Sequence, residues 1–201
     1  MSFIVTVEGN PLSMRSPNLA HITAYSTAWA LSQLNRFVGH AVRPYSVAEH
    51  SLLVLEIAGR MFGLDAHGRF AALMHDAHEA VTGDMHTPGK REIGSAWHAF
   101  ESGWQHHYRT VFGLHVASRA FAAQIRQADL IALATEKRDL MPLATEPWLA
   151  LEGIEPCTWV DLQAPERRSK DWEFWRDRFL DECGALEEER DDLAARQAER
   201  A

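Results

Sequence analysis

The chain has 201 residues, enough for one well-packed domain and too few for two of ordinary size. Its apolar and charged fractions, 46% and 24%, are typical of a globular protein, and its formal net charge of −8 disfavours binding to nucleic acid polymers or anionic membranes. Cys157 and Cys183 lie far apart without a CxxC pattern, which argues against a disulfide framework and a thiolate zinc site.

The N-terminal segment lacks the basic and apolar regions of a signal peptide, and no later segment approaches a membrane span. We therefore expect a cytoplasmic protein without a membrane partner. Alternating apolar and polar residues over 3–8, followed by GNP, predict one short strand or hairpin arm at this end of the chain.

Apolar residues at helical spacing then predict three core helices, over 22–36, 46–63 and 66–82. Ser46 and Glu49, three residues apart, have the spacing of a capping box. This cap places His50 in the first turns of the second predicted helix.

The same spacing predicts further helices over 96–113 and 118–141, after a loop at GDMHTPGK. Several prolines in 142–165 predict a long connection with one brief extended piece at CTWV, followed by a last helix. The charged tail is expected to be a solvated, fraying helix. The fold class is therefore mainly all-α, a single domain over 1–201 with its core over about 19–182 and its tail over about 183–201.

Four tryptophans at helical spacing could form either a base-stacking platform or part of the core and an oligomer interface. Such residues are more often core or interface than platform, so we favour the second interpretation. The residues are Trp97, Trp104, Trp172 and Trp175.

The segment ALMHDAHEAVTGDMHTP concentrates histidines and carboxylates within an apolar run, and burying such groups is costly unless they are paired or hold a metal. On one helix His75 and Glu79 lie one above the other, while Asp76 points about 100° away. His50 and Asp129 come from two other predicted helices. Taken singly, each group is more often solvated than a ligand. Together, two imidazoles and two carboxylates suit an N/O site with open positions for Mn, Fe, Co or Zn.

The order His50, His75-Asp76, Asp129 resembles the signature of the HD-domain metal-dependent phosphohydrolases. The segments VAEHSLL, MHDAHEAVTGDMHTP and ADLIALATE resemble those of the small HD-domain 5'-deoxynucleotidases and the related phage dATP triphosphohydrolases. The resemblance covers about 31–141. It implies an HD-domain helical bundle in which these four residues hold one divalent cation, which could be Co, Mn, Zn, Fe or Mg.

The resemblance also implies roles for residues around that cation. Glu79 matches a general acid/base and, with Asp76, is a candidate catalytic residue. Asp84 matches an aspartate that reads the sugar and favours its 2'-deoxy form. Arg36 matches an arginine that contacts the phosphate, with Phe37 in the place of a neighbouring aromatic residue.

Five further polar residues lie near the motif or on the helix of Asp129. His86 and Lys90 are candidates for the phosphate path, although a loop often carries such groups without a function. His78 departs from the resemblance, and we expect a solvated histidine rather than a second metal ligand. Glu136 and Arg138 are expected to support the helix of Asp129 through i,i+4 and cross-helix pairs.

The function implied by the resemblance is metal-dependent phosphohydrolysis of a nucleotide, with a 5'-deoxynucleotidase acting on 2'-deoxynucleoside 5'-monophosphates in first place. One alternative is a dNTP triphosphohydrolase, which a long pocket with His86 and Lys90 pointing into it would favour. The other is a non-catalytic interaction module with a structural metal, against which the mixed N/O ligand set and Glu79 argue. The expected partners are a small nucleotide and further copies of the chain, in a dimer or a higher homo-oligomer, without nucleic acid polymer.

Overall fold

The structure, a computed structural model, describes residues 2–143 and 146–199 of the chain. Its helical content is 65%, which confirms the predicted mainly all-α fold with a short N-terminal hairpin. The elements of the described part are β1 (Phe3–Val5), β2 (Pro11–Ser13), α1 (Ala24–Gln33), α2 (Val47–Phe62), α3 (Ala66–Leu73), α4 (Glu79–Thr82), α5 (Thr87–Ile93), α6 (Ser95–Val111), α7 (His115–Ala120), α8 (Ala122–Leu140), α9 (Pro165–Arg168) and α10 (Trp172–Ala198). Strands β1 and β2 pair antiparallel.

Helix α2 is the central element of the helical bundle. Helices α3 and α8 pack on it, and α10 packs along α1 and α3. Ser46 Oγ accepts the backbone N–H of Glu49 at 3.2 Å, and Gly63 ends the helix with a φ of 58°, in the left-handed region that favours glycine. Because both ends are capped and ten residues of α2 are buried, His50 is carried by a well-fixed part of the fold.

The Glu49 side chain does not take the capping role that its spacing predicts. Its carboxylate accepts hydrogen bonds from Arg43 Nη1 and Nη2, both at 2.8 Å, and from Arg167 Nη1 at 3.0 Å. Two arginines thus neutralise a carboxylate that is fully buried. Among the described residues, only the Ser46 half of the predicted capping box forms.

The continuous helix predicted over 66–82 is wrong, because α3 ends at Leu73 and the chain turns before the short α4 begins. In this turn, the His75 ring nitrogen Nδ1 lies 2.8 Å from the carbonyl oxygen of Ala72 and uses it as an acceptor. Tight backbone bonds replace the α-helical pattern, as from the N–H of Glu79 to the carbonyl of Asp76 at 2.9 Å. His75 and Glu79 are therefore not stacked on one helix face.

Three further segments differ from the predicted elements. The expected loop at GDMHTPGK contains α5, whose first turn accommodates Pro88 without the loss of a hydrogen bond. The helix predicted over 118–141 consists of α7 and α8, which meet at Phe121. In the described part of the chain CTWV forms no strand, since the N–H of Cys157 donates instead to Thr135 Oγ1 on α8 at 3.0 Å.

The tail over 183–201, predicted to be solvated, is buried in its first part. Cys183 and Leu186 lie in the core because they continue the buried stripe of α10 at helical spacing. One turn later, the guanidinium of Arg190 lies 4.5 Å from the centre of the Phe70 ring. None of the described helices has both the length and the apolar character that crossing a membrane requires.

The tryptophans divide between the core and its margins. Trp104 and Trp175 are buried, which confirms the core interpretation for these two residues. Trp97 and Trp172 are half-buried, and Trp172 packs edge-on against Trp29 with 4.9 Å between ring centres. The four side chains therefore do not form one exposed stacking surface.

Two helical glycines provide a matched test of this packing. An added Cβ at Gly68 in α3 would lie 3.0 Å from Leu64 Cβ and 3.0 Å from the Phe121 ring, whereas one at Gly184 in α10 would meet nothing within 4 Å. We expect Gly68→Ala to lower the free energy of unfolding by about 1–3 kcal/mol through overpacking. Gly184→Ala should raise it by about 0.5–1 kcal/mol. Urea denaturation measures both changes, and a stabilised Gly68→Ala variant would contradict the packing of α3 on Phe121.

Candidate metal and active site

Four potential ligand side chains from three parts of the fold converge on one point. His50 lies near the N-terminus of α2, His75 and Asp76 lie in the turn between α3 and α4, and Asp129 lies on α8. The Nε2 atoms of His50 and His75 are 3.3 Å apart, and Asp76 Oδ2 is 3.1 Å from His75 Nε2. Asp129 Oδ1 is 3.3 Å from His50 Nε2. The four predicted ligands are therefore neighbours.

The other ring nitrogen of each histidine already has a partner. His50 Nδ1 lies 2.5 Å from Glu136 Oε1, and His75 Nδ1 lies 2.8 Å from the carbonyl oxygen of Ala72. Because both partners are acceptors, each Nδ1 carries the hydrogen and each Nε2 can offer a lone pair. This arrangement is common for histidines that bind a metal.

The spacing of the donor atoms fits a divalent cation. Bonds of about 2.0–2.2 Å from nitrogen or oxygen to a metal place neighbouring ligand atoms about 3 Å or slightly more apart. Donor atoms of His50, His75 and Asp76 all lie within 4.8 Å of one another. The Asp129 side chain, 39% exposed, stands on the open side of this group. Two nitrogens and two carboxylates would hold Mn, Fe, Co or Zn and leave positions for other ligands.

Glu136 connects the histidine cluster to Arg36. It is fully buried on α8, and its Oε2 accepts a hydrogen bond from Arg36 Nη2 at 3.1 Å while Oε1 faces His50. Burial tends to raise the pKa of Glu136, but Arg36 and His50 outweigh it and lower this pKa. The expectation of a cross-helix pair is confirmed for Glu136, although His50 was not foreseen as its partner. Arg138 pairs with the adjacent Asp139 and not with a residue four positions away in the described part of the chain.

His50 holds a proton when no cation competes for it. Burial and Arg36 lower the pKa of His50, but Glu136 and Asp129 outweigh them and raise it to about 9. A cation bound at Nε2 must displace this proton, so metal affinity should increase with pH.

Glu79, the first residue of α4, is a buried carboxyl group beside the cluster. Its Oε2 atom is buried and has no hydrogen-bond partner in the described part of the chain. Burial, Asp76 and Asp84 raise the pKa of Glu79 well above its ordinary value. A raised pKa favours the protonated form of Glu79, which is the form that can donate a proton.

Asp84 lies directly after Gly83, whose φ of 78° turns the chain at the end of α4. Burial raises the pKa of Asp84, Arg36 lowers it and Asp76 raises it again, with a net increase. Asp76, Glu79 and Asp84 are thus neighbours, and the cation Arg36 lowers the pKa of both Glu79 and Asp84. Arg36 Nη1 is 3.8 Å from Asp76 Oδ2.

Arg36 and Phe37 lie in the short 3-10 turn Arg36–Gly39. The Arg36 side chain is buried, and its Nε atom has no hydrogen-bond partner in the residues that the structure describes. Phe37 and Val38 have φ values of 57° and 53°, unusual for residues with a Cβ and costly for a β-branched one. Phe37 packs 6.1 Å from Trp148 between ring centres. A strained turn therefore holds Arg36 against the cluster.

His86 and Lys90 are engaged with other parts of the chain. His86 Nδ1 accepts the backbone N–H of Gly89 at 3.0 Å and so caps α5. Lys90 Nζ donates to Glu101 Oε1 on α6 at 2.6 Å. Neither residue lines the cavity that opens beside the cluster.

The expectation that His78 is solvated is wrong, because α6 covers it. Only 2% of the residue is exposed. Its Nε2 atom lies 3.4 Å from Gln105 Nε2 and 3.6 Å from Glu101 Oε1. His78 thus helps to hold α6 beside the turn that carries His75 and Asp76.

A cavity of about 320 Å³ opens beside the cluster, on a flank that the sequence did not reveal. His75, Asp76 and Asp129 form part of its wall, and Arg109 and Arg126 line it as well. Arg126 precedes Asp129 by three residues on α8, which puts both on neighbouring positions of one helix face. That spacing was the available signal, but a lone arginine on a helix is usually a solvated surface group.

Replacing Glu136 tests its role in holding His50. We expect Glu136→Gln to weaken binding of Mn²⁺ or Co²⁺ by about 10- to 100-fold, because the amide no longer orients His50 or raises its basicity. Titration calorimetry of metal-free protein measures this affinity. Glu92→Gln, an exposed change on α5, is the control, and equal affinities for the two variants would contradict the role of Glu136.

Glu101 makes a testable contribution to stability in acid. His78 and Lys90 lower the pKa of Glu101 from 4.5 to about 2. A lowered pKa in the folded state adds stability above pH 4.5, and this stability is lost as the pH falls towards about 2. We expect Glu101→Gln to flatten this part of the curve of unfolding free energy against pH. Urea denaturation at several pH values provides the comparison, and parallel curves for both proteins would contradict the expectation.

Comparison with known proteins gives two bacterial relatives, and no family model matches the chain. The uncharacterized protein YfdR of Escherichia coli (strain K12) is 34% identical over 181 residues, which cover 90% of this chain and 96% of YfdR. An uncharacterized protein of Rhodobacter capsulatus is 38% identical over 92 residues, which cover 45% of this chain and 44% of that protein.

Proposed function

We propose that this chain, which belongs to the same protein family as YfdR of Escherichia coli, is a metal-dependent phosphohydrolase of the HD-domain type that acts on nucleotides. The observation that carries the proposal is the convergence of the four donor side chains of His50, His75, Asp76 and Asp129 beside the buried carboxyl group of Glu79. A divalent cation held there would supply Lewis-acid stabilisation of a phosphoryl oxygen and would lower the pKa of water.

The chain's own groups suit the hydrolysis of a phosphate ester. In this reaction a water oxygen bonds to phosphorus, the bond from phosphorus to the 5'-oxygen breaks, and the departing oxygen needs a proton. Glu79 is suited to supply that proton, since burial and two neighbouring carboxylates raise its pKa and favour its protonated form. The proton that the water loses then returns Glu79 to its starting state, so one carboxyl group serves as acid and then as base.

Arg36 supplies positive charge for the phosphate in an acidic protein. Nη2 is used by Glu136, but among the residues that the structure describes the Nε hydrogen has no acceptor, and Nη1 has only the 3.8 Å contact with Asp76. Unsatisfied donors of a buried guanidinium are well suited to phosphate oxygens. This supports the role of Arg36 in phosphate binding, with the strained turn of Phe37 as its support.

We propose 2'-deoxynucleoside 5'-monophosphates as the first substrate class, with deoxynucleoside and inorganic phosphate as products. Asp84 lies on the same flank as Glu79 and would accept a hydrogen bond from a sugar hydroxyl. A flank crowded with carboxyl groups favours such a neutral group over further phosphates. We also propose that the protein acts in the cytoplasm and forms a dimer or a higher homo-oligomer.

A dNTP triphosphohydrolase remains the second candidate. The engagement of Lys90 with Glu101 and the place of His86 at the cap of α5 do not support the phosphate path expected for it. The cavity lined by Arg109 and Arg126 does favour it, since two cations there would suit a longer phosphate chain. A purely structural metal site is less well supported. Burying the Glu79 carboxyl group without a hydrogen-bond partner costs stability, and a structural site would not explain why it is there.

Product analysis tests the proposal. Metal-stripped protein is incubated with each dNMP and dNTP, with Co²⁺, Mn²⁺, Mg²⁺ or Zn²⁺ added in turn, and the products are separated by chromatography. We expect phosphate from the monophosphates. Triphosphate from the dNTPs would move the assignment to the second candidate, and the absence of metal-dependent release from both sets would overturn the proposal.

Glu79→Gln separates a catalytic site from a structural one. We expect turnover to fall by about 10²- to 10⁴-fold, since the amide cannot donate the proton, while metal affinity is retained. Glu92→Gln serves as the control with unchanged turnover. Full activity of Glu79→Gln would contradict the role assigned to Glu79.

A further inference from the structure

The cavity beside the cluster extends away from the residues assigned to the sugar and to proton transfer. Part of its wall is formed by His75, Asp76 and Asp129, but neither Glu79 nor Asp84 lines it. Its volume of about 320 Å³ lies at the lower end of the range of ligand pockets. A ligand group attached at the cluster could therefore continue into this space.

Two arginines bring positive charge to this cavity. Arg109 comes from α6 and Arg126 from α8, and neither has a carboxylate within 4.0 Å in the part of the chain that the structure describes. Arg43 and Arg138, by contrast, are each paired with a carboxylate. Unneutralised cations in a concave site concentrate positive potential and attract anions.

The neutral lining of the cavity suits the same kind of ligand. Gln105 contributes an amide and Ser118 a hydroxyl, and both can donate hydrogen bonds to oxygen atoms. Gln105 also contacts the buried His78, which fixes its position beside the cluster. The lining thus combines two guanidinium groups with neutral donors, as phosphate-binding sites commonly do.

The other flank of the cluster is unsuited to additional phosphates. Glu79 and Asp84 lie there close to Asp76, which raises the pKa of both carboxyl groups. In the described residues, Lys90 is paired with Glu101, and Arg36 is paired with Glu136 through Nη2, so only the remaining donors of Arg36 can serve the phosphate held at the cluster. Because like charges repel more strongly where water is excluded, an extended phosphate chain would be directed to the flank of Arg109 and Arg126.

We infer that this cavity is a subsite for phosphate groups beyond the one held at the cluster, so that the chain binds deoxynucleoside triphosphates more tightly than monophosphates. The inference rests on the proposed function, since it takes the cluster as the position of the first phosphate. It assigns Arg109 and Arg126 to the recognition of those outer phosphates. Triphosphates then compete with monophosphates for one site, which links the activity to the supply of triphosphates.

Binding of dATP and dAMP tests the subsite. The measurement uses titration calorimetry on manganese-loaded protein that carries Glu79→Gln, so that neither ligand is consumed. We expect dATP to bind more tightly than dAMP. The double variant Arg109→Gln, Arg126→Gln should bind dATP about tenfold or more weakly, while its affinity for dAMP should change by less than about threefold. Arg168→Gln, an exposed change on α9, is the matched control.

Equal affinities for dATP and dAMP, or an unchanged preference in the double variant, would overturn the subsite. Inorganic tripolyphosphate provides a second probe, measured on metal-free protein in the presence of EDTA. Its binding should weaken in the double variant and not in Arg168→Gln. Because both arginines are exposed, the double variant should keep the circular dichroism spectrum of the parent protein.

The subsite and the proposed function can fail separately. If dNMPs are hydrolysed while the double variant binds dATP as tightly as its parent, the subsite is wrong and the function stands. If no nucleotide is hydrolysed, but the double variant binds tripolyphosphate more weakly than its parent, the proposed function is wrong and the cavity is still an anion site.

Discussion

The buried chain of charges from Arg36 through Glu136 to His50 is the constraint on which the site depends. Glu136 and His50 are fully buried and Arg36 nearly so, and each group would be costly alone in the interior. Because one Glu136 carboxylate contacts both cations at 3.1 Å and 2.5 Å, no member can move without leaving another unpaired. The pair between α2 and α8 also sets the distance between His50 and Asp129, which places two of the four donors.

A second buried charge cluster fixes the other side of α2 and leaves the first undisturbed. Glu49, next to His50 in the sequence, is held by Arg43 before α2 and by Arg167 on α9. The two buried carboxylates thus pair with different arginines. His50 can therefore face the site while the adjacent Glu49 holds the segments of Arg43 and Arg167 on the other side. At His75 the helix is interrupted, and the resulting turn brings His75 and Asp76 to the site.

The mainly all-α fold was predicted because helical spacing is a local signal. The convergence of the four donor side chains was predicted because their order along the chain resembles a known signature. The sequence did not predict that α3 ends at Leu73, since the apolar pattern continues while the His75 ring takes the Ala72 carbonyl. Glu136 was expected only to support its helix because its partners lie 86 and 100 residues away along the chain. The burial of His78 depends on α6, which its own segment does not reveal. Long-range polar pairs therefore account for most of what was missed.

The difference in charge between the two flanks follows from which cations are already paired. On the flank of Glu79 and Asp84, Arg36 is paired with Glu136 and Lys90 with Glu101. Burial raises the pKa values of Glu79 and Asp84, and this flank therefore suits an uncharged ligand group such as a sugar hydroxyl. Arg109 and Arg126 have no carboxylate within 4.0 Å of their guanidinium groups in the part of the chain that the structure describes, so their positive charge is available to a ligand. A chain with a net charge of −8 cannot attract an anion through its overall field. The proposed binding of a nucleotide therefore depends on this local separation of charge, with the outer phosphates on one side of the four donor side chains and the sugar on the other.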